Sequence, residues 1–346
     1  MKLEYIHSFR GIAIAFIVFG HALYFQFDWS NNQTLFYLLQ DILSNGTVLF
    51  VFISGYLFQH LHGRQSHSQY YKSKFKNLLI PYIILSAPAI AFTVLIAPTY
   101  SELEVFQSGN LLEQVLMHYA LGGAHVNYAL WFMPMILVIV SLAPFLAWIL
   151  QKPSHYWVLL PMFALAWFIH RSPVPIVDVM RQVFYFIPVF ITGMFISQYK
   201  TQIEPWFEKY WWVLLTLVTV LIMSQFLFSH YHGSLVTKTA YSSEKGWFDF
   251  QLLQKLFMCF LVIGLLRRFP NLNGRLLDTL AQYSFTIFFC HIYFFVVIEI
   301  IIGDQKVPSS LGFWFARGAI ALLACCLLAS IGKKVFGRYS RQLIAS

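Results

Sequence analysis

The sequence has few charged residues. Only 11% of its 346 residues are Asp, Glu, Lys or Arg, whereas soluble proteins contain roughly 25%. Hydrophobic residues make up 59%, against roughly 45–50% in soluble chains. No polar stretch is long enough to form a separate water-soluble domain. The composition therefore excludes a soluble globular protein and predicts a single integral membrane domain over residues 1–346.

Cysteine is also scarce, and the four cysteines lie in apolar stretches without CxxC spacing: Cys259, Cys290, Cys325 and Cys326. Neither a disulfide framework nor a zinc site is indicated. His60, His62 and His67 have no carboxylate or cysteine beside them, and their spacing does not bring them to one helix face. We therefore expect no catalytic metal.

Ten apolar runs are candidates for transmembrane helices. Continuous apolarity, rather than one apolar stripe, is typical of helices embedded in lipid. The predicted spans are 11–27, 46–61, 78–97, 128–150, 156–170, 182–198, 211–228, 250–266, 280–301 and 312–332. The predicted fold class is an all-α integral membrane bundle of about ten transmembrane helices.

The basic residues are distributed unevenly between the loops. If the N-terminus is inside, 16 of the 23 lysines and arginines lie on inner segments: Lys2, Arg10, Arg64, Lys72, Lys74, Lys76, Lys152, Lys200, Lys209, Arg267, Arg268, Arg275, Lys333, Lys334, Arg338 and Arg341. Because basic residues concentrate on the cytoplasmic side of membrane proteins, both termini are predicted to be cytoplasmic. The net charge of +9 is then explained by topology, and nucleic-acid binding is not predicted.

Two ionisable residues mark the first apolar run. Arg10 lies at its cytoplasmic edge, and His21 lies well inside the predicted span. Eleven residues at ~100° each return to nearly the same helix face, with the side chains ~16 Å apart along the axis. One elongated ligand could contact both. In the structural alternative, Arg10 reaches lipid headgroups and His21 bonds to a neighbouring helix.

Several segments resemble motifs of one family. Residues 5–13, YIHSFRGIA, together with His21, resemble the opening of the acyltransferase-3 family of membrane O-acyltransferases, closest to its fucose 4-O-acetylase-like branch. Residues 50–57, FVFISGYL, and 74–82, KFKNLLIPY, are similar to its second-helix and third-helix motifs. Later landmarks of the family resemble Leu130, Trp131, Phe132, Tyr283, Ser284 and His291. The matches follow the family order over most of the chain.

The resemblance implies an enzyme that transfers an acyl group, commonly acetyl from acetyl-CoA, to a sugar hydroxyl of a surface or exported polysaccharide. It implies a multi-pass protein of the bacterial cytoplasmic (inner) membrane. Acyl-CoA would be a donor substrate, and no tightly bound cofactor is expected. Expected partners are a polysaccharide or lipid-linked glycan acceptor, membrane lipid and other proteins of polysaccharide biosynthesis.

The implied reaction suggests catalytic and donor-binding roles for His21 and for the basic residues of the predicted cytoplasmic side. An alcohol that attacks a thioester must lose its proton, and histidine is the usual side chain for this task. We expect His21 to be the general base, with Arg10 as the second catalytic residue. The phosphates of CoA require cations on the cytoplasmic side. The candidate donor-binding residues are Arg10, Arg64, Lys72, Lys74 and Lys76.

The candidate substrate-binding residues are Ser54, Tyr82, Trp131 and His291. Each has a structural alternative: Ser54-Gly55 permits close helix packing, and Trp131 could be an interface anchor. The role of Glu299 stays open, with structural pairing favoured over catalysis. Outer loops at 28–45, 98–127 and 229–249 are candidates for the acceptor mouth, and Gly122-Gly123 is predicted to break the second.

The sequence departs from the family pattern at two places. His7 stands where aspartate is common, and Asn77 stands where arginine is frequent. An alternative function is a transporter of a sugar or glycan intermediate, with Arg10, His21 and Glu299 along its path. The lack of a detectable internal repeat is against it. A structural subunit, which would not bind CoA, is a third possibility. The acceptor sugar, its hydroxyl position, the acyl chain, the side of transfer and the oligomeric state stay open.

Overall fold

The computed structural model describes residues 3–24, 27–96, 109–122, 125–173, 178–242, 246–303 and 307–345. These residues are mainly helical, and their strands are β1 (Phe27–Asp28) and β2 (Val307–Pro308). The α-helices are α1 (Glu4–Ala22), α2 (Gln33–Leu43), α3 (Thr47–Leu61), α4 (His67–Lys74), α5 (Ile80–Ala91), α6 (Leu111–Leu121), α7 (Phe132–Ile149), α8 (Leu159–Ile169), α9 (Val179–Gln198), α10 (Lys200–Lys209), α11 (Trp211–Phe228), α12 (Phe250–Arg268), α13 (Arg275–Gln282), α14 (Ser284–Ile302), α15 (Leu311–Phe336) and α16 (Ser340–Leu343). The predicted all-α class is confirmed.

Within the described ranges, nine helical segments are long and apolar enough to cross a membrane: Glu4–Ala22, Ser30–Leu61, His67–Ile96, Asn127–Ile149, Val179–Gln198, Trp211–Phe228, Phe250–Arg268, Ser284–Ile302 and Leu311–Leu343. The predicted span 156–170 corresponds to Pro153–Ile169, which is apolar but shorter than these nine. Each predicted span therefore coincides with a helical segment, and this shorter segment accounts for the difference between ten and nine.

The outer surface of the bundle is apolar. Phe228 is 80% exposed, Ile301 is 77% exposed and Trp157 is 71% exposed. Exposure of such a continuous apolar surface to water is unfavourable, whereas lipid tails solvate it. The protein is a multi-pass membrane protein.

Two glycines allow α3 and α9 to pack closely. A Cβ atom at Gly55 would overlap the carbonyl oxygen of Phe190, and a Cβ atom at Gly193 would overlap that of Phe52. Small residues bring helix backbones together in membranes, where packing rather than hydrophobic burial holds helices to each other. The predicted packing role of Ser54-Gly55 is confirmed for Gly55.

Helix α1 is the central element and contacts α2, α3, α12, α13, α14 and α15. It begins well before the predicted span 11–27, because Ile6, Ser8 and Phe9 are buried among these helices. That predicted boundary is wrong. The apolar run marks only the apolar part of the helix, and the helix begins earlier, at Glu4. As a result His21 lies in the last turn of α1 rather than deep in the span.

The pairing of the two strands places the end of α1 and the start of α15 at the same end of the bundle. β1, which follows α1, pairs in parallel with β2, which precedes α15. We call this the outer end of the bundle. The opposite, inner end contains Arg10, Lys74 and Arg341, and Thr286 there donates to the carbonyl oxygen of Ile344 at 2.7 Å. That this end faces the cytoplasm stays a prediction.

The second predicted outer loop contains a short helix, α6. Asn110 and Glu113 form a capping box at its start, and Gly122 ends it with a φ of 68°. Glycine adopts this left-handed conformation without steric cost. The predicted break at Gly122 is confirmed, whereas Gly123 and residues 97–108 lie outside the described residues.

Candidate active site

A cavity of about 590 Å³ lies beside the last turn of α1. Its lining includes His21, Trp131, Arg171 and Glu299. We call this cavity the chamber. Its size is within the roughly 300–1,000 Å³ of small-molecule sites.

His21 and His291 form a hydrogen-bonded pair beside the chamber. The Nδ1 atom of His21 lies 2.7 Å from the Nε2 atom of His291, and the ring planes differ by 2°. Nδ1 of His291 lies 2.8 Å from the carbonyl oxygen of Ile287. His291 is fully buried, whereas His21 lines the chamber. His291, predicted to bind substrate, therefore contacts His21 and does not itself line the chamber.

The Ile287 carbonyl determines the proton positions of this pair. A carbonyl oxygen accepts hydrogen bonds, so His291 donates from Nδ1. In neutral imidazoles, Nε2 of His291 then accepts the N–H of His21 Nδ1. The lone pair of His21 is left on Nε2, to which no described residue donates. A basic nitrogen beside an open cavity has the position that proton abstraction requires.

Arg171 and Trp131 form another part of the chamber wall. The Arg171 guanidinium carbon lies 4.7 Å from the centre of the Trp131 ring, and Nη1 donates to Asn45 Oδ1 and Ser234 Oγ at 3.2 Å each. Burial lowers the pKa of Arg171, since removal from water disfavours the charged form. Trp131, a predicted substrate-binding residue, thus lines the chamber beneath a cation.

His232 forms a third part of the wall, and a buried carboxylate behind it holds it in place. Asp41 accepts from Nδ1 of His232 at 2.9 Å and from the backbone N–H of Gly233 at 2.8 Å. The His232 ring lies 4.2 Å from the Tyr37 ring, with an interplanar angle of 13°. The carboxylate fixes the loop that carries His232, and the chamber gains a flat, polar-edged face.

Two smaller cavities lie at the inner end. One, of about 110 Å³, is lined by Ser54, Lys74, Ser284 and Arg341 among others. We call it the lysine cavity. The other, of about 350 Å³, is lined by His7, Arg10, His60 and Arg64 together with apolar residues, and we call it the arginine cavity.

Arg10 connects the two inner cavities. Its Nη2 atom donates to Ser284 Oγ at 2.7 Å and to the carbonyl oxygen of Ala281 at 3.0 Å. Ser284 lines the lysine cavity while Arg10 lines the arginine cavity. Part of the Arg10 guanidinium therefore holds the junction of α13 and α14, and the rest faces the arginine cavity.

Phe132 and Phe288 line both the chamber and the lysine cavity. Their ring centres lie 5.2 Å apart in an edge-to-face arrangement. Such a contact is worth about 0.5–1.5 kcal/mol, so a ligand of moderate affinity can displace it. The two rings form the partition between the inner and outer cavities.

The predicted donor residues separate into two groups. Arg10, Arg64 and Lys74 line inner cavities, whereas Lys72 and Lys76 are exposed and line neither. Two residues along a helix correspond to ~200° of rotation, so Lys74 faces away from its two neighbours.

The remaining predicted substrate-binding residues lie away from the chamber. Tyr82 is buried and donates to the carbonyl oxygen of Tyr119 at 2.7 Å, which joins α5 to α6. Ser54 lines the lysine cavity, and its hydroxyl donates to the carbonyl oxygen of Phe50 at 2.8 Å. Glu299 lines the chamber, as Trp131 does.

Sequence reasoning did not identify Arg171, Asn45 or Arg341 as site residues. Arg171 directly follows the predicted span 156–170 and reads as an ordinary loop cation, and Arg341 is one of the basic residues explained by topology. Asn45 precedes Gly46 and has a φ of 58°, a conformation that Asn tolerates better than most residues. An Asn-Gly pair between two apolar segments was the available signal.

Comparison with known proteins gives one match. A family model for the acyltransferase domain, acyltransferase-3, matches residues 3–330. The matched range includes His21, Arg171 and His291. No curated protein and no solved structure shows a significant match to the chain.

Proposed function

The chain belongs to the acyltransferase-3 family, and on this basis we propose that it transfers an acetyl group from acetyl-CoA to a sugar hydroxyl held in the chamber. It is a membrane acyltransferase. The observation that carries the proposal is the His21–His291 pair, which leaves His21 Nε2 as a hydrogen-bond acceptor beside the chamber. The similarity of residues 5–13 to the fucose 4-O-acetylase-like branch supports acetyl as the acyl group.

His21 acts as the general base. Nε2 takes the proton of the acceptor hydroxyl while the hydroxyl oxygen attacks the thioester carbonyl carbon. The tetrahedral intermediate then collapses, the C–S bond breaks, and the CoA sulfur receives the proton from His21. His291 accepts the N–H of His21 Nδ1 throughout, so it stabilises the imidazolium that forms between the two steps.

The inner cavities suit the donor. The phosphates of CoA need cations, which the arginine and lysine cavities offer as Arg10, Arg64, Lys74 and Arg341. The pantetheine arm is narrow and extended, and about 16 Å along α1 separates Arg10 from His21. Passage between Phe132 and Phe288 would bring the thioester into the chamber.

The chamber suits a sugar acceptor. Rings of Tyr24, Trp131 and Tyr128 line it together with polar groups such as Gln40 and Ser44. Flat rings and convergent hydrogen-bonding groups are the usual lining of such sites. In this proposal the inner end faces the cytoplasm of a bacterium, and the acceptor belongs to an exported polysaccharide that reaches the outer end.

Transfer can be measured directly. The purified protein in detergent is supplied with radiolabelled acetyl-CoA and crude membrane glycans, and label in glycan and release of CoA thiol are both followed. We expect His21→Ala to lose both signals by about 10²–10⁴-fold, the contribution typical of a general base. His230→Ala serves as the matched control, since His230 is exposed and does not line the chamber.

Two results would contradict the proposal. One is full activity in a folded His21→Ala variant, which would remove the general base. The other is a wild-type protein that neither binds nor turns over acetyl-CoA with glycans present. The second result would favour the transporter alternative, in which the chamber and the inner cavities form a path.

A further inference from the structure

Arg171 has hydrogen-bond donors for which the described part of the chain offers no acceptor. Its backbone is fixed, since Arg171 N donates to the Leu235 carbonyl at 3.2 Å and Thr237 N donates to the Arg171 carbonyl at 3.0 Å. Nη1 is bonded to Asn45 and Ser234. Nε is buried without a partner among the described residues, and none of them accepts from Nη2. The guanidinium is therefore fixed in place but incompletely bonded.

A second arginine in the same region shows the contrast. Arg181 lies in α9, is 5% exposed, and does not line the chamber. Its Nε donates to the carbonyls of Ile169 and His170, and Nη2 donates to Thr237 Oγ1 at 2.6 Å. Nη1 donates to the Lys238 carbonyl. The outer loops thus offer hydrogen-bond acceptors to all three guanidinium nitrogens of Arg181. The described residues around Arg171 offer acceptors to Nη1 only.

Arg171 also lacks a direct ion-pair partner among the described residues. Asn45 Nδ2 donates to Tyr185 OH at 2.8 Å, and Tyr185 OH donates to Asp249 Oδ2 at 2.7 Å. Two side chains therefore separate the cation from Asp249, whose carboxylate also accepts from the N–H of Leu252. Burial raises the pKa of Asp249 and lowers that of Arg171, because both groups are removed from water.

The other charged residue of the chamber has its own counter-charge. Glu299 lines the chamber and interacts electrostatically with Arg317 of α15. Arg317 therefore offsets part of its negative charge, and the Arg317 guanidinium carbon also lies 5.4 Å from the centre of the Phe295 ring. Among the described residues that line the chamber, Arg171 is the charged side chain without a direct ion-pair partner.

We propose that Arg171 is an oxyanion-binding site and that the group it binds is a carboxylate or a phosphate on the acceptor. Guanidinium groups bind both anions through paired N–H donors. This inference rests on the proposed function, because it assigns the chamber to the acceptor and limits that acceptor to acidic glycans or phosphate-linked ones. Arg171 and His21 line the same chamber, so an anion bound by Arg171 would place a neighbouring hydroxyl of the acceptor in the chamber with the base.

The test is a binding measurement that requires no turnover. Inorganic phosphate, glucuronate and neutral methyl glucoside are titrated into the full-length protein in detergent at constant ionic strength, with tryptophan fluorescence and thermal unfolding as readouts. We expect at least one of the two anions to bind at least tenfold more tightly than the neutral sugar. Whichever anion binds more tightly identifies a sugar carboxylate or a phosphate as the source.

Three variants make the test specific. Arg171→Gln should weaken anion binding at least tenfold, whereas Lys238→Gln removes an exposed charge from the same loop region and should leave it unchanged. Asn45→Asp keeps the arginine but supplies an internal carboxylate, so it should also abolish anion binding. This second variant keeps the test decisive if Arg171→Gln does not fold.

Equal affinity for charged and neutral ligands would overturn the proposal, as would tight anion binding in a folded Arg171→Gln or Asn45→Asp variant. A third result would do the same: no anion binding, with acetyl-CoA hydrolysis in the absence of acceptor lost in Arg171→Gln. That outcome would assign the arginine to the thioester carbonyl. Failure of the proposed function would instead appear as wild-type protein without acetyl-CoA turnover.

Discussion

His21 and His291 lie 270 positions apart in the chain, yet their ring nitrogens are separated by 2.7 Å. The backbone carbonyl of Ile287 fixes the proton of His291, and His291 in turn directs the lone pair of His21 away from itself. In the proposed mechanism, a buried histidine and a carbonyl orient His21 as a carboxylate orients the histidine of many hydrolases. The activity of His21 should therefore depend on a residue that does not line the chamber.

Replacement of His291 tests this dependence. His291→Ala should lower kcat by about 10–100-fold with the KM for acetyl-CoA little changed, because it removes orientation rather than the base itself. His291→Gln should recover part of the loss, since its side-chain oxygen can accept from His21 Nδ1. Steady-state kinetics of both variants checks this. Equal kcat in His291→Ala and wild type would show that the pair is structural.

The basic residues that line the lysine cavity should contribute to acetyl-CoA binding, whereas the exposed lysines beside Lys74 should not. Lys74→Ala and Arg341→Ala should each raise the KM for acetyl-CoA by roughly tenfold, since a hydrogen bond to a charged group contributes about 1.5–3 kcal/mol. Lys72→Ala and Lys76→Ala are the matched controls, because both side chains are exposed and face away from the lysine cavity. Similar KM values for all four variants would mean that topology alone explains these lysines.

The aromatic partition should control water access. Phe132→Ala or Phe288→Ala opens a gap between the lysine cavity and the chamber. We expect acetyl-CoA hydrolysis without acceptor to rise several-fold relative to transfer, because water can then reach the thioester beside His21. Phe145→Ala is the control, since Phe145 is 56% exposed on the outside of α7. An unchanged ratio of hydrolysis to transfer in both partition variants would contradict this role.

Stability should depend on the glycines between α3 and α9. Gly55→Ala places a methyl group against the Phe190 carbonyl and forces the two backbones apart, and overpacking of this kind costs about 1–3 kcal/mol. Gly274→Ala is the control, as no heavy atom lies within 4 Å of the place that its new methyl group would take. Thermal unfolding in detergent should show a lower Tm for Gly55→Ala alone. Equal Tm values would indicate that the helices separate without cost.

Much of the fold was predictable because lipid imposes a simple rule. A segment that crosses a membrane must be long and apolar, so the spans at 211–228 and 182–198 could be located from composition alone. The start of α1 could not, since residues 4–10 mix polar and apolar side chains, and neighbouring helices bury Ile6, Ser8 and Phe9 among them. Local hydrophobicity describes contact with lipid and not contact with other helices.

The candidate site was predictable in part. The spacing of Arg10 and His21 lies within one helix, so it follows from helix geometry without knowledge of the other helices. Arg171 was not distinguishable from any outer-loop cation, because its unused donors depend on Asn45 and Ser234, which are far from it in sequence. Lys72, Lys74 and Lys76 were equivalent in sequence and became different only when one of them faced a cavity.

The sequence by itself determined the membrane setting, the approximate positions of the spans and the placement of a cation and an imidazole on one helix, because each depends on composition or on spacing along a single segment. Tertiary structure decided which histidine contacts His21, which lysine lines a cavity, and that Arg171 lines the chamber with donors that no described residue accepts. Those properties arise from contacts between residues distant in the chain, and the packing of the helices alone brings such residues together.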